Sequence, residues 1–551
     1  MSLLCEKYIK EQYNDAGILT SYELIIPEDF NYAYDVMDEL AKKKPGNRAM
    51  LWVSSTGVRK EITYKEMMEK SNQCANYLVD LGIKKGDMVM LILKRHYQWW
   101  YFMLALHKIG AIAIPATNQL MVKDLVYRFD AANVKAVICT GEGIIADSVD
   151  EAQKKCPSVE IKIMCEGEKD GWRNYSEISS YSKEFKRPQG EDKITNDDIM
   201  LLYFTSGTTG FPKMVIHDFT YPIGHIYTAR HWHNVKEDGL HISVAETGWA
   251  KAAWGKIYGQ WFCETALLVY DMERFDADNL LEVISSEKVT TFCAPPTIYR
   301  FMIQHDLGKY DLSSIRHATI AGEALNAEVF EKFKEYTGLK LMEGFGQTET
   351  TVAVCNNKYM NPKPGSMGKP VMQYKISVCD SDDLPVEPGE VGEICFDIRD
   401  GRPCGLFLGY YKNEEATDKV FKNGIYHTGD LVWVDEDGYF WYVGRDDDII
   451  KSSGYRIGPF EIESALMEHD AVMECAVTAA PDPIRGQVVK ATIVLTKKYS
   501  PSEELKKDIQ NYVKKATAPY KYPRIVEFVD ELPKTISGKI KRKEIRDNDH
   551  A

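Results

Sequence analysis

Alternating strands and helices predict an α/β protein: a large N-terminal part with parallel-rich sheets, a small β-subdomain, and a smaller α+β module at the C-terminus. Three observations carry that expectation. Apolar runs such as Met88-Val89-Met90-Leu91-Ile92-Leu93 are continuous rather than alternating, as in strands covered on both faces. Helical patterns separate these runs, which is the rhythm of a parallel sheet. The texture then changes twice, to short strands with Pro/Gly turns from about Tyr374 and to a distinct unit from Asp447.

The elements follow in chain order. A short helical pattern lies near 30–44, and Thr63 and Glu66 have the spacing of a capping box that opens a long amphipathic helix through Leu81. The strand at 88–93 is followed by a helix at 99–109, a strand at 112–115, a helix at 125–132 and a strand at 136–139. Ile199-Met200-Leu201-Leu202-Tyr203-Phe204 is a further strand. The same rhythm resumes with strands at 265–270, 290–294 and 317–321 and a helix at 280–286. Pro388-Gly389-Glu390-Val391-Gly392-Glu393-Ile394-Cys395 typifies the β-subdomain. The last module reads as helix 459–469, strands 474–477 and 491–495, and helix 502–516, enough to fold alone. The domains are therefore 1–446, with the β-subdomain from about 374, and 447–551.

Bulk properties narrow the function. At 551 residues more than one hydrophobic core is expected, and 44% hydrophobic with 27% charged residues is ordinary globular composition. A formal charge of −14 argues against a general nucleic-acid or anionic-membrane binder. From Asp447 onward there are 18 basic and 17 acidic residues, so the first 446 residues carry −15 and the tail is nearly neutral. The 12 cysteines form no Cys-x-x-Cys pair and no Cys/His cluster at zinc spacing, and they read as reduced thiols. Met1-Ser2-Leu3-Leu4-Cys5-Glu6-Lys7 becomes charged too soon for a signal peptide. The longest apolar stretch, 101–117, is interrupted by His107, Lys108 and Pro115, so no membrane span is expected. A cytoplasmic protein is expected.

Five segments place polar residues where a packed core has no use for them. The strand at 199–204 runs into Thr205-Ser206-Gly207-Thr208-Thr209-Gly210-Phe211-Pro212-Lys213. Hydroxyls and glycines there suit a phosphate, but Phe211-Pro212 separates Gly210 from the lysine, so the Walker A spacing fails. In Glu343-Gly344-Phe345-Gly346-Gln347-Thr348-Glu349-Thr350, the glycines free the backbone around a ring that can face a base, and Glu349 is a hard oxygen ligand for Mg²⁺ between phosphates. In His427-Thr428-Gly429-Asp430, Asp430 is suited to a ribose diol. The last two segments are Gly444-Arg445-Asp446-Asp447-Asp448, running on to Ser453-Gly454-Tyr455-Arg456, and the lysine-bearing turn Pro533-Lys534-Thr535-Ile536-Ser537-Gly538-Lys539. Singly, each also reads as an ordinary loop or a solvated charge run.

Together and in this order, they resemble the adenylate-forming superfamily of acyl-CoA synthetases, peptide-synthetase adenylation domains and luciferases, and within it the medium-chain acyl-CoA synthetases. The resemblance runs from about Thr63 to Lys541. It implies that a carboxylate attacks the α-phosphate of ATP, giving an acyl-adenylate and pyrophosphate, and that coenzyme A then displaces AMP. By the same resemblance, Lys213 and the Thr205–Lys213 loop handle the departing phosphates, and Lys539 reaches the α-phosphate and the acyl carboxylate. Adenine lies between Gly322-Glu323-Ala324 and Phe345, Asp430 and Arg445 hold the ribose, and Thr348 meets the acyl carboxylate. Asp447 is the hinge on which a mobile C-terminal domain swaps Lys539 for the segment 454–456 between half-reactions. Ser453, Gly454, Tyr455, Arg456, Arg485 and Lys514 are candidates to bind coenzyme A.

Acetate-specific members close their pocket with a tryptophan at the position of Gly346, so an acid larger than acetate (medium-chain, branched or aryl) is expected, with Gln119 and Trp249 beside it. Two other readings stay open: transfer of the acyl group to a separate carrier protein, and a nucleotide-binding regulator without catalysis. Neither the preferred acid nor the oligomeric state can be read from the sequence.

Overall fold

The computed structural model describes all residues except 1, 206–211, 323, 324, 326, 453, 454, 484, 535–538 and 549–551. Two large sheets dominate, and the α/β expectation is borne out. One orders its eight described strands as 409–410, 213–218, 199–205, 112–115, 88–92, 136–140, 161–165 and 173–174. From Ile199–Thr205 outward through Arg173–Asn174 it is parallel; Lys213–Asp218 and Gly409–Tyr410 add an antiparallel edge. The second sheet is parallel from Leu341–Phe345 through His317–Ile320, Thr291–Ala294, Leu240–Ser243 and Ala266–Asp271 to Arg48–Ser54. Every residue of Met88–Ile92 is buried, which is why that run is apolar at each position.

Helix Gln98–Ile109 is buried on all sides. Its one lysine, Lys108, donates to Asp38 at 2.7 Å and to Asn72 at 2.5 Å, so the charge that interrupts the apolar stretch is paired in the interior. Among the described residues no helix is long and apolar enough to cross a membrane. Helix Tyr64–Asp80 starts as its spacing predicts, with Thr63 Oγ1 accepting from the Glu66 N–H at 3.1 Å. Glu66 does not close the box; its carboxylate accepts from the Tyr101 hydroxyl instead.

The β-subdomain is an antiparallel sheet built on Ile376–Cys379, Val391–Asp397, Ile425–Val434 and Phe440–Arg445. Among the described residues, the last sheet is built from Ile450–Ser452, Tyr455–Ile457, Val472–Asp482, Gly486–Leu495 and Ile525–Phe528, with helices Pro459–Met467 and Glu503–Ala516 packed on it. Strands 472–482 and 486–495 are much longer than their apolar cores suggest, because one hairpin pairs almost continuously along them. A final helix, Arg542–Asn548, escaped the sequence reading. Its Arg542 pairs with Glu463 at 2.7 Å and its Arg546 with Asp448 at 2.6 Å. Tyr442 and Phe460 meet edge-on, 5.9 Å between centroids, where the subdomain touches this last unit.

Candidate active site

The site lies at the carboxyl ends of parallel strands, the usual crevice of open α/β sheets. Strands His317–Ile320 and Leu341–Phe345 run side by side with Ile320 opposite Glu343. Gly322 and Phe345 therefore leave the sheet next to each other, as an adenine slot between them requires. Glu323 and Ala324, expected on its other wall, lie outside the described residues. Glu343 is almost fully buried; burial pushes its carboxyl up to about 8, and its Oε2 has no hydrogen-bond partner.

Gly344 and Gly346 are needed for a different reason from backbone freedom. Neither has a positive φ. A Cβ on Gly344 would lie 2.5 Å from the Trp232 ring, and one on Gly346 would lie 2.4 Å from Trp254 and 2.5 Å from the Thr351 carbonyl. Two indoles, 5.9 Å apart and perpendicular, are thus packed against the backbone on either side of Phe345. Trp254, from helix Lys251–Gly255, takes the space that a side chain at 346 would need. That helix is remote in sequence from the motif, so the motif alone could not reveal it. Gly248 has a similar reason: its Cβ would lie 2.5 Å from the Thr117 N, a contact that holds the turn of Trp249 against the segment leading to Gln119. Gln119 itself is exposed, and Trp249 is half-buried with its indole N–H directed at Glu246.

At the phosphate end, Thr205 and Lys213 are register partners across an antiparallel pair, so the loop of the motif joins two adjacent strands. Ser206, Gly207, Thr208, Thr209 and Gly210 lie outside the described residues. The Lys213 ammonium stands 4.4 Å from the Tyr410 ring centroid, and the Tyr410 hydroxyl donates to Glu349 Oε1 at 3.0 Å. Burial lowers the Lys213 pKa, opposed by Glu349. Burial raises that of Glu349, opposed by Tyr410, Arg445 and Lys213. Tyr410 escaped the sequence reading, where it was one aromatic among many. The same holds for His217, which donates Nε2–H to the Thr348 carbonyl at 2.8 Å. Burial holds that imidazole at about 4, so it is neutral near pH 7.

At the ribose end, Asp430 and Arg445 face each other across an antiparallel pair. Asp430 is 4% exposed and accepts from Gln347 Nε2 at 2.5 Å and from the Tyr442 hydroxyl at 3.1 Å. Gln347 also donates to the Thr428 carbonyl at 2.8 Å and accepts from the Tyr426 hydroxyl at 2.6 Å, tying the two motifs together. Burial raises the Asp430 pKa, opposed first by the Arg445 charge and then by the hydrogen bonds from Gln347 and Tyr442. Arg445 Nε lies 3.7 Å from Asp447, the expected hinge residue.

Of the residues expected to meet coenzyme A, Tyr455, Arg456 and Arg485 lie at neighbouring positions of the last sheet. Tyr455 is exposed and stacks on Tyr520, 4.2 Å between centroids. Arg456 pairs with Asp446 at 2.9 Å. Ser452 is register partner of both Tyr455 and Gly486, which brings Arg485 beside them. Lys514 lies over the Tyr522 ring at 5.5 Å. Ser453 and Gly454 lie outside the described residues.

The model of the AMP-binding enzymes matches residues 37–411, and that of the AMP-binding enzyme C-terminal domain matches residues 461–539. The chain belongs to the AMP-binding enzyme family. It is 41% identical to mitochondrial acyl-coenzyme A synthetase ACSM4 of Homo sapiens, over 95% of this chain and 91% of the relative. It is also 41% identical to the mitochondrial ACSM3 of Mus musculus, over 97% and 93%. Among solved structures it resembles the anthranilate CoA ligase AuaEII in complex with anthranoyl-AMP, with a TM-score of 0.86 and 29% identity over 95% of this chain and 98% of that one. A benzoate CoA ligase from Burkholderia xenovorans LB400 gives 0.81 and 27% over 94% and 100%. The resemblance to acyl-CoA synthetases is borne out. The cytoplasmic expectation is overturned: both of these relatives are named as mitochondrial.

Proposed function

We propose that this chain is an ATP-dependent, AMP-forming acyl-CoA synthetase, an acid–thiol ligase that turns a monocarboxylic acid larger than acetate into its CoA thioester through an acyl-adenylate. The observation that carries this reading is the buried polar cluster in which Gln347 joins the 343–350 segment to Asp430, the cross-strand partner of Arg445. In the first step one anion attacks another, so positioning and charge neutralisation outweigh covalent help. Lys213 and Thr205 receive the leaving pyrophosphate, Phe345 and Gly322 flank adenine, Asp430 and Arg445 hold the ribose, and Lys539 stabilises the charge on the α-phosphate and the attacking carboxylate. Glu349, an oxygen donor oriented by Tyr410, fits Mg²⁺. Bound there, the ion would neutralise phosphate charge.

In the second step the unit 447–551 turns at Asp447 and replaces Lys539 by the segment holding Tyr455 and Arg456. Arg485 and Lys514 supply charge for the phosphates of coenzyme A. The Arg445–Asp447 contact supports this assignment, since it links the ribose clamp to the hinge. Trp254 bounds the acyl pocket beside Gly346, and Trp249 and Gln119 are its further candidate walls. The relatives are named for coenzyme A, which does not favour a carrier protein as acceptor, and their names point to a mitochondrial setting.

The test is ATP–pyrophosphate exchange over straight, branched and aryl acids from acetate upward, repeated with coenzyme A to detect thioester. Exchange with thioester formation is the expected result. Activity confined to acetate would refute the proposed acid class, and absence of exchange would refute adenylation.

A further inference from the structure

The β-subdomain gathers a second set of reactive side chains outside the cleft. Across its antiparallel strands Cys395 is opposite His427, while Cys379 is opposite Glu393. Glu393 and Cys395 are two residues apart on one strand and so share a face. Ligand atoms of Glu393, Cys395 and His427 all lie within 4.8 Å of one another. His427 Nδ1 is 3.0 Å from Glu393 Oε2 and 3.7 Å from Cys395 Sγ. Zinc bonds of about 2.0–2.3 Å to N, O and S imply tetrahedral edges of about 3.3–3.6 Å, between these two spacings.

The imidazole tautomer is what makes a cation attractive here. His427 is 9% exposed, and its Nε2 faces Asp383 Oδ1 at 3.5 Å. Both of those atoms are buried without a hydrogen-bond partner. A neutral imidazole protonated at Nδ1 satisfies Glu393 but turns the Nε2 lone pair toward the Asp383 carboxylate. Protonated at Nε2, it turns the Nδ1 lone pair toward Glu393. Either tautomer sets two acceptors against each other. A second proton resolves this by making an imidazolium, and a metal ion on Nδ1 resolves it as well, because Nε2–H then points at Asp383 in the carboxylate–histidine–metal arrangement.

We propose that Cys395, His427 and Glu393 form a structural site for a divalent cation of the zinc class, with Asp383 orienting the histidine from behind. The thiol is what selects such an ion over Mg²⁺. On binding, the Cys395 S–H bond breaks, its proton passes to solvent, and the thiolate takes up the metal. Cys379, the register partner of Glu393, neighbours this set without joining it. Glu393 Oε1 also accepts the Gly429 N–H at 2.6 Å, so the ion braces the turn that presents Asp430. No sequence spacing announces this site, because its ligands are cross-strand neighbours 32 residues apart.

The test uses the full-length chain without a histidine tag, stripped with chelator and titrated with Co²⁺ in excess Mg²⁺. About one equivalent of Co²⁺ should bind with a thiolate-to-cobalt charge-transfer band, and Zn²⁺ should displace it. Cys395→Ser should abolish the band, and Asp383→Asn should weaken binding about 10- to 100-fold while keeping it. Far-UV circular dichroism checks that the variants are folded, and the wild-type titration decides even if one is not. Absence of a thiolate band in the wild-type chain, or a band that survives Cys395→Ser, overturns the proposal.

Discussion

Trp254 occupies the space that a side chain on Gly346 would need: a Cβ there would lie 2.4 Å from its ring. The indole packed against Gly346 is therefore supplied by a helix and not by the motif itself. Trp254→Ala should shift preference toward longer acids by about 10-fold or more in relative kcat/KM, since each added methylene in an apolar pocket is worth ~1–3 kcal/mol. Initial rates across a homologous series of acids measure it. An unchanged chain-length profile would remove Trp254 from the pocket.

Gly346→Ala adds the clashing methyl without removing anything. Overpacking of this kind costs about 1–3 kcal/mol, so a lower urea midpoint and loss of adenylation are expected together. Combining it with Trp254→Ala should recover part of the stability, because the two changes share one space.

Tyr410→Phe removes the donor to Glu349 but keeps the ring beneath Lys213. Hydrogen bonds to charged groups are worth ~1.5–3 kcal/mol, so kcat/KM should fall about 10- to 100-fold. Burial already raises the Glu349 pKa, and loss of a donor to the ionised form raises it further. The acid limb of the pH–rate profile should therefore move to higher pH in the variant. A profile that only scales down would assign Tyr410 to packing alone.

Glu343 offers a stability test. Its folded-state pKa of about 8 stands above its ordinary value of 4.5, so the folded form holds its proton more tightly than the unfolded chain does. Its contribution is most favourable below about pH 4.5 and is lost as pH rises through about 8. Glu343→Gln should raise Tm relative to wild type at pH 9 and change it little at pH 5, measured without nucleotide.

Lys539→Ala should depress pyrophosphate exchange by about 10²–10³-fold, the usual loss for one group that stabilises developing charge. Attack of coenzyme A on a supplied acyl-adenylate should continue near the wild-type rate. Equal loss of both half-reactions would contradict the division of labour between Lys539 and the segment 454–456.

The order of strands and helices, the five motifs and the family were legible in the sequence because each rests on local causes. Continuous apolar runs mark strands buried on both faces, caps mark helix starts, and glycine- and hydroxyl-rich loops mark phosphate sites. The long C-terminal hairpin and helix Arg542–Asn548 were not legible, since pairing and two ion pairs stabilise them more than local pattern does. Within the site, the sequence by itself determined that Lys213, Glu349, Asp430, Arg445 and Lys539 are present and in what order. Only the tertiary structure decided that Tyr410 links the first two, that Gln347 ties the 343–350 segment to Asp430, and that Trp254 takes the space beside Gly346. The physical reason is the same in each case: hydrogen bonds and van der Waals contacts act over a few ångströms of space, and these partners lie tens of residues apart along the chain.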